Sequence, residues 1–276
     1  MRVEIIEPHG FCAGVTAALR KAESLRDAYC LHELVHNELV VASLRERGFR
    51  FVEDISEIPE GATVLFSAHG VSPAVRAEAE RRRLRVVDAT CPFVARVHQA
   101  ARDFAARGLP VVVIGKSAHA EVKGIVGEVG KARVVGGAGE LAALPRTDGP
   151  VGVVSQTTMN ADEVKALVAE LAKRFPVETM AEVCNATKVR QDAVKDFSRR
   201  HRGERGVGLL VLGSVTSSNT RRLCEVASLP RVYRAGTLEE VRRLDLAGLE
   251  TLGVTSGAST PESFFAAAVD FLEKLK

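Results

Sequence analysis

Three cysteines, three histidines, a glutamate and a set of hydroxyl and amide side chains recur at matched places along this chain. Cys12 lies in GFCAGV, Cys91 in DATCPFV and Cys184 in EVCNAT, each just ahead of a helix-forming window. Thiolates are favoured there, because the first amides of a helix and its macrodipole present positive charge. At Cys91 the following Pro92 suits a first helical position. A second element follows each cysteine: LVHNELV with His36, IGKSAHAEV with His119 and Glu121, and LGSVTSSNT with Ser217, Ser218 and Asn219. Aligning Gly115 with Gly213 sets His119 opposite Ser217 and Glu121 opposite Asn219. A third element holds His69 in VLFSAHGVS, Thr157 in VVSQTTMN and Ser259 in GVTSGAST, with its register open by a residue or two.

If three such repeats face a common centre, the three thiols meet inside a polar cup. Three thiolates suit zinc or an iron-sulfur cluster and leave one coordination position for water or substrate. Histidines, hydroxyls, an amide and helix N-termini suit a phosphate or diphosphate, and Glu121 is the natural proton donor. The bland readings stand beside these. Cysteine outside a disulfide is among the most buried residue types, and no paired CxxC spacing marks a metal site here. Cys30 and Cys224 fall outside the repeats and read as structural. His9, His32, His98 and His201 read as surface or core residues, and Glu38, the counterpart of Glu121, as a solvated helix residue. The Ser217-Ser218-Asn219 run also suits a helix N-cap, which is compatible with phosphate binding.

The elements that must position these residues alternate from end to end. Strand-like runs cover 3–6, 63–66, 85–87, 111–114, 151–154, 209–212 and 252–255; helix-like windows cover 14–28, 92–107, 161–175, 188–199 and 261–275. That alternation is an α/β class signature, with functional loops at strand C-termini. The repeats divide the chain into 13–91, 92–183 and 184–276, the last completed by the strand in 1–12. The 276 residues carry 38 Lys+Arg against 35 Asp+Glu, and 46% are apolar. Such a composition suits a globular chain with a sizeable core, and the small positive excess excludes nothing but calls for no nucleic acid. No apolar run approaches membrane-spanning length, and Glu4 and Glu7 interrupt any secretory signal, so no membrane association and a cytoplasmic location are expected.

GFCAGV, LVHN, SAHGVS, DATCP, AHAEV, SQTT, CNATKVRQ, SSN and TSGAS occur in the order and near the spacing found in the 4-hydroxy-3-methylbut-2-enyl diphosphate reductases, and the chain resembles that family over nearly its whole length. The resemblance implies a trefoil of three α/β domains around a 4Fe-4S cluster held by Cys12, Cys91 and Cys184, with the fourth iron open to the substrate hydroxyl. It implies a diphosphate bound among His36, His69, His119, Ser217, Ser218, Asn219 and Ser259. Glu121 would supply protons, with Thr157 and His119 orienting and relaying. Isopentenyl and dimethylallyl diphosphate would result, as the last step of the methylerythritol phosphate pathway. No GxGxxG follows a first strand, so electrons would come from a small protein such as ferredoxin or flavodoxin. The chain departs from the family at Ala120, often proline, and at Val215-Thr216, usually Lys-Asn. Alternatives consistent with the residues are a three-cysteine zinc hydrolase of a phosphorylated metabolite and a non-catalytic iron-sulfur redox sensor or diphosphate-binding module.

Overall fold

The structure is a computed structural model and describes residues 1–147 and 149–275. Strand β1 (Arg2–Ile5) and helix α1 (Ala13–Glu23) precede a first run of β2 (Tyr29–Leu31), α2 (Glu38–Glu46), β3 (Arg50–Val52), β4 (Thr63–Phe66), α3 (Pro73–Arg81) and β5 (Arg85–Asp88). The second run is α4 (Pro92–Ala106), β6 (Val111–Ile114), α5 (Ala120–Val129), β7 (Ala132–Val135), α6 (Ala138–Ala142), β8 (Val151–Ser155), α7 (Ala161–Ala172) and β9 (Val177–Met180). The third is α8 (Asn185–Arg200), β10 (Val207–Leu212), α9 (Ser218–Val226), β11 (Arg231–Ala235), α10 (Leu238–Arg242), β12 (Thr251–Ser256) and α11 (Glu262–Glu273).

These strands make three four-stranded parallel sheets, ordered β3-β2-β4-β5, β7-β6-β8-β9 and β11-β10-β12-β1. The order is the same in all three once β1 takes the fourth place in the last sheet. Every residue of β6, β8, β10 and β12 is buried. The near-continuous Val, Ile and Leu runs of β6 and β10 are what a parallel strand covered on both faces needs.

Two cysteine-led helices lock onto sheets by the same device. Thirteen residues after its cysteine, α4 presents Phe104 to Gly152 of β8, and α8 presents Phe197 to Gly253 of β12. A Cβ at Gly152 would lie 2.4 Å from Phe104 Cγ, and one at Gly253 2.5 Å from Phe197 Cζ, so the ring occupies the space of the missing side chain. The strands must therefore carry glycine for these helices to seat.

By contact density the chain forms two compact units. One comprises Met1–Val15, His36–Ala42 and Asn185–Lys276 and holds the β10-β12-β1 sheet; the other comprises Thr16–Val35 and Ser43–Cys184 and holds the other two.

The expected strands are all present, 63–66 and 111–114 with the same bounds and the others shifted by a residue or two at their ends. The window 14–28 overran its helix, which stops at Glu23; Asp27 follows with φ +49°, a conformation no right-handed helix contains. The window 188–199 began late, since α8 starts directly after Cys184. Strands β2, β3, β7, β9 and β11 carried no expectation; β2 and β3 have three residues each, too short for periodicity to show.

Gly152→Ala and Gly253→Ala are expected to destabilise the fold by about 1–3 kcal/mol through overpacking, while Gly139→Ala in α6, with open space around it, should be neutral or slightly stabilising. Urea midpoints of the three variants decide this, and equal midpoints would remove the seating argument.

Candidate functional site

Each of Cys12, Cys91 and Cys184 immediately precedes a helix. The Cys12 Sγ accepts from the Val15 N–H at 3.5 Å in the first turn of α1, Cys91 is the N-cap of α4 with Pro92 after it, and Cys184 leads into α8. Their backbone amides repeat one interaction: Cys12 N–H donates to the Ala258 carbonyl at 3.0 Å, Cys91 to Ala68 at 3.0 Å and Cys184 to Thr157 at 3.1 Å. The three acceptors are equivalent, each two residues beyond the end of the third strand of its sheet (Phe66, Ser155 or Ser256). All three cysteines are half-buried and none is in a disulfide. By contrast burial pushes the Cys30 thiol up to about 12 and the Cys224 thiol up to about 11, so neither is a thiolate at neutral pH.

Within the larger unit, Glu121 is a buried acid. It is 1% exposed, in the first turn of α5, and accepts the Thr157 backbone N–H at 2.7 Å and the Thr157 hydroxyl at 3.0 Å. Burial raises its pKa from 4.5 to about 7 against the opposing effect of the two bonds from Thr157. His119 caps α5, its Nδ1 accepting the Glu121 N–H at 3.2 Å, which leaves the proton of a neutral ring on Nε2. The His119 ring meets His69 edge to face with centroids 5.5 Å apart. Gln156, quoted in the SQTT motif but not singled out, is fully buried; it accepts the Lys116 N–H at 3.1 Å and donates to the Thr158 hydroxyl at 2.9 Å, joining the loop before His119 to the loop of Thr157.

In the other unit, Ser217 caps α9 by accepting the Thr220 N–H at 3.3 Å, and Ser218 and Asn219 follow, all buried. Both polar atoms of the Asn219 amide are buried without a hydrogen-bond partner. That is a costly state for a native protein unless a ligand completes it. The Ser259 hydroxyl donates to the His36 carbonyl at 3.1 Å, and Asn37 caps α2 by accepting from Leu39 and Val40 at 3.0 and 3.2 Å. Asn37 was missed, although an asparagine before an apolar-periodic run is an N-cap signal.

Strand register fixes the alignment of the repeats. His36, His119 and Ser217 each stand five residues beyond Leu31, Ile114 and Leu212, the equivalent ends of β2, β6 and β10. In the third element, the counterpart of His69 and Ser259 is Thr158, not Thr157, so that alignment moves by one residue. Glu38 is exposed and accepts the Ser214 hydroxyl at 2.7 Å. Among the described residues no three His, Cys, Asp or Glu side chains form a ready metal-binding group.

Parallel four-stranded sheets in one repeated order, with cysteine-capped helices and a buried carboxyl held by a threonine, define an α/β protein whose polar loops gather at strand C-termini. The LytB protein profile matches residues 3–273. A 4-hydroxy-3-methylbut-2-enyl diphosphate reductase of Magnetococcus marinus is 42% identical, covering 95% of this chain and 88% of its own. One from Neisseria gonorrhoeae is 41% identical over 94% and 83%. Among solved structures, the E-1-hydroxy-2-methyl-but-2-enyl-4-diphosphate reductase of Plasmodium falciparum superposes with a TM-score of 0.91 at 28% identity, covering 99% of this chain and 88% of that one. An (E)-4-hydroxy-3-methyl-but-2-enyl diphosphate reductase, described as the terminal enzyme of the non-mevalonate pathway, gives 0.67 at 31% identity with both chains fully covered. The chain belongs to the LytB family.

A carboxyl whose pKa is higher folded than unfolded holds more protons in the folded state, so it makes stability fall as pH rises from about 4.5 to about 7 and levels off above. Glu121→Gln keeps the acceptor oxygen and removes the charge. It should match the parent protein near pH 4.5 and exceed it in stability at pH 8, measured by thermal unfolding at both values. An equal difference at the two pH values would contradict the raised pKa.

Proposed function

We propose that this chain reductively removes the hydroxyl of (E)-4-hydroxy-3-methylbut-2-enyl diphosphate, giving isopentenyl and dimethylallyl diphosphate in the last step of the methylerythritol phosphate route. The observation that carries the reading is Glu121, a fully buried carboxyl poised near neutrality, in a chain whose relatives are named for that reaction. Those relatives are reductases, which favours this reading over a zinc hydrolase or a non-catalytic sensor. None of the described helices is long and apolar enough to cross a membrane; a cytoplasmic location belongs to this proposal.

The residues present fit an iron-sulfur cluster. Cys12, Cys91 and Cys184 would hold it, because each stands at a helix start, half-buried, whereas burial disfavours the thiolates of Cys30 and Cys224. A bound 4Fe-4S cluster with three protein thiolates supplies electrons and an open, Lewis-acidic iron. The rest of the chemistry falls to side chains. The Asn219 amide, in the first turn of a helix capped by Ser217, offers an unused donor to the diphosphate. His36, His69, His119, Ser218 and Ser259 complete that set, His119 through Nε2, since its Nδ1 accepts the Glu121 N–H. With its pKa raised to about 7, Glu121 is about half protonated at neutral pH, and Thr157 keeps the carboxyl aimed through both its amide and its hydroxyl. Spans 13–91, 92–183, and 184–276 with 1–12 are taken as three domains, each holding the strands of one sheet. Ferredoxin or flavodoxin is the proposed electron donor.

Glu121→Gln should lower turnover about 10²–10⁴-fold with substrate affinity near that of the parent, measured with a chemical reductant; retained turnover would end the proton-donor role. Asn219→Ala should raise KM more than it lowers kcat. Purified without oxygen, the parent chain should carry close to four iron and four sulfide, as a 4Fe-4S cluster requires. Cys91→Ser should lose them and Cys224→Ser should keep them. The opposite pattern would overturn the ligand assignment.

A further inference from the structure

Outside the residues already assigned, the larger unit contains a buried ionic cluster at the seam between the loop carrying His69 and the helix that His119 caps. His98 on α4 is 4% exposed, and its Nδ1 lies 2.8 Å from Glu128 Oε1 on α5. The Glu128 side chain is 3% exposed and also pairs with Arg102 on α4, at 2.8 Å. Burial lowers the His98 pKa despite Glu128, so the ring is neutral and donates its Nδ1 proton to the carboxylate. The opposite edge of the ring is clasped by glycines. A Cβ at Gly70, one residue after His69, would lie 3.0 Å from His98 Nε2; a Cβ at Gly124 of α5 would lie 3.0 Å from Cε1. One turn further along α5, a Cβ at Gly127 would lie 2.3 Å from the Ser72 Cβ, the N-cap residue of α3. The His69 loop and α5 therefore pack closely, with the edge of the His98 ring lying against both Gly70 and Gly124.

We propose that His98, locked by Glu128, is a positioning residue for the proton-transfer groups. It fixes the separation of the 67–72 loop from α5, and through it the edge-to-face placement of His69 against His119 and the angle at which Glu121 meets Thr157. The inference rests on the proposed reductase activity for its kinetic consequence, but its geometric content does not. The clasp needs a planar ring held in one orientation by a hydrogen bond from Nδ1, and it does not need a charge on Glu128.

The test compares His98→Ala, Glu128→Ala and Glu128→Gln in the iron-loaded protein, by iron content, steady-state kinetics and crystal structures. Glutamine still accepts from Nδ1, so Glu128→Gln should stay within about twofold of the parent. Glu128→Ala and His98→Ala should lose about 10- to 100-fold in kcat with KM little changed and iron per chain as in the parent, and their crystal structures should show the His69 and His119 rings out of edge-to-face contact. The proposal fails if kcat per iron-loaded chain is unchanged in both alanine variants, if Glu128→Gln falls as far as Glu128→Ala, or if the ring pair is undisturbed. If His98→Ala does not fold, the two Glu128 variants decide alone. A parent protein without reductase turnover would end the functional reading instead, and the ring geometry in the crystals would still judge the positioning claim.

Discussion

The interaction on which the rest depends is the hydrogen bond from each cysteine amide to a carbonyl two residues past the third strand: Cys12 to Ala258, Cys91 to Ala68, Cys184 to Thr157. Parallel strands end with unpaired carbonyls at one edge of the sheet, and the chain leaving the fourth strand passes beside those of the third. In the first sheet the ladder simply continues, since Ala89 donates to Phe66 and Cys91 to Ala68. In the last sheet Pro8 interrupts the ladder, having no N–H, and the Ser256 hydroxyl accepts from Gly10 before Cys12 resumes it. The same bond thus ties every proposed metal ligand to the loop that carries His69, Thr157 or Ser259.

Around that constant frame, equivalent positions have taken different chemistry, and burial decides which. Glu38, Glu121 and Asn219 occupy one repeat position. Glu38 is exposed and accepts the Ser214 hydroxyl. Buried against Thr157, Glu121 is lifted to about 7 and becomes an acid that can give up a proton at neutral pH. Buried with no partner, the Asn219 amide keeps both donors and acceptor for a ligand. One scaffold position therefore holds an exposed carboxyl, a buried carboxyl with a raised pKa and a buried amide without a partner.

Seating the helices demands small residues at defined places. Gly152 and Gly253 admit the rings of Phe104 and Phe197, and Gly70, Gly124 and Gly127 let the His69 loop press against α5. At Gly152, Gly253 and Gly127 a methyl group would occupy space already filled by a neighbour, at Gly124 it would press on the His98 ring at 3.0 Å, and Gly70 adds a φ of +76° that favours glycine by itself.

Much of the site was legible in the chain because the repeats put like functions at like distances from strand ends: cysteines before helices, His36, His119 and Ser217 five residues past a strand, Glu121 two beyond His119. What the sequence by itself determined was therefore the α/β class and the central strands with their apolar runs, and it singled out the proposed ligand set and the candidate acid. Short strands such as β2 and β3 escaped, because three residues carry too little periodicity, and the register of the third repeat element, left open by a residue or two, is fixed only by strand pairing. Tertiary structure alone decided the burial that raises Glu121, the lack of partners around Asn219 and the clasp of His98 between Gly70 and Gly124. The reason is physical: periodicity and local propensity act over neighbours in sequence, whereas desolvation and close packing depend on residues tens of positions apart that only the fold brings together.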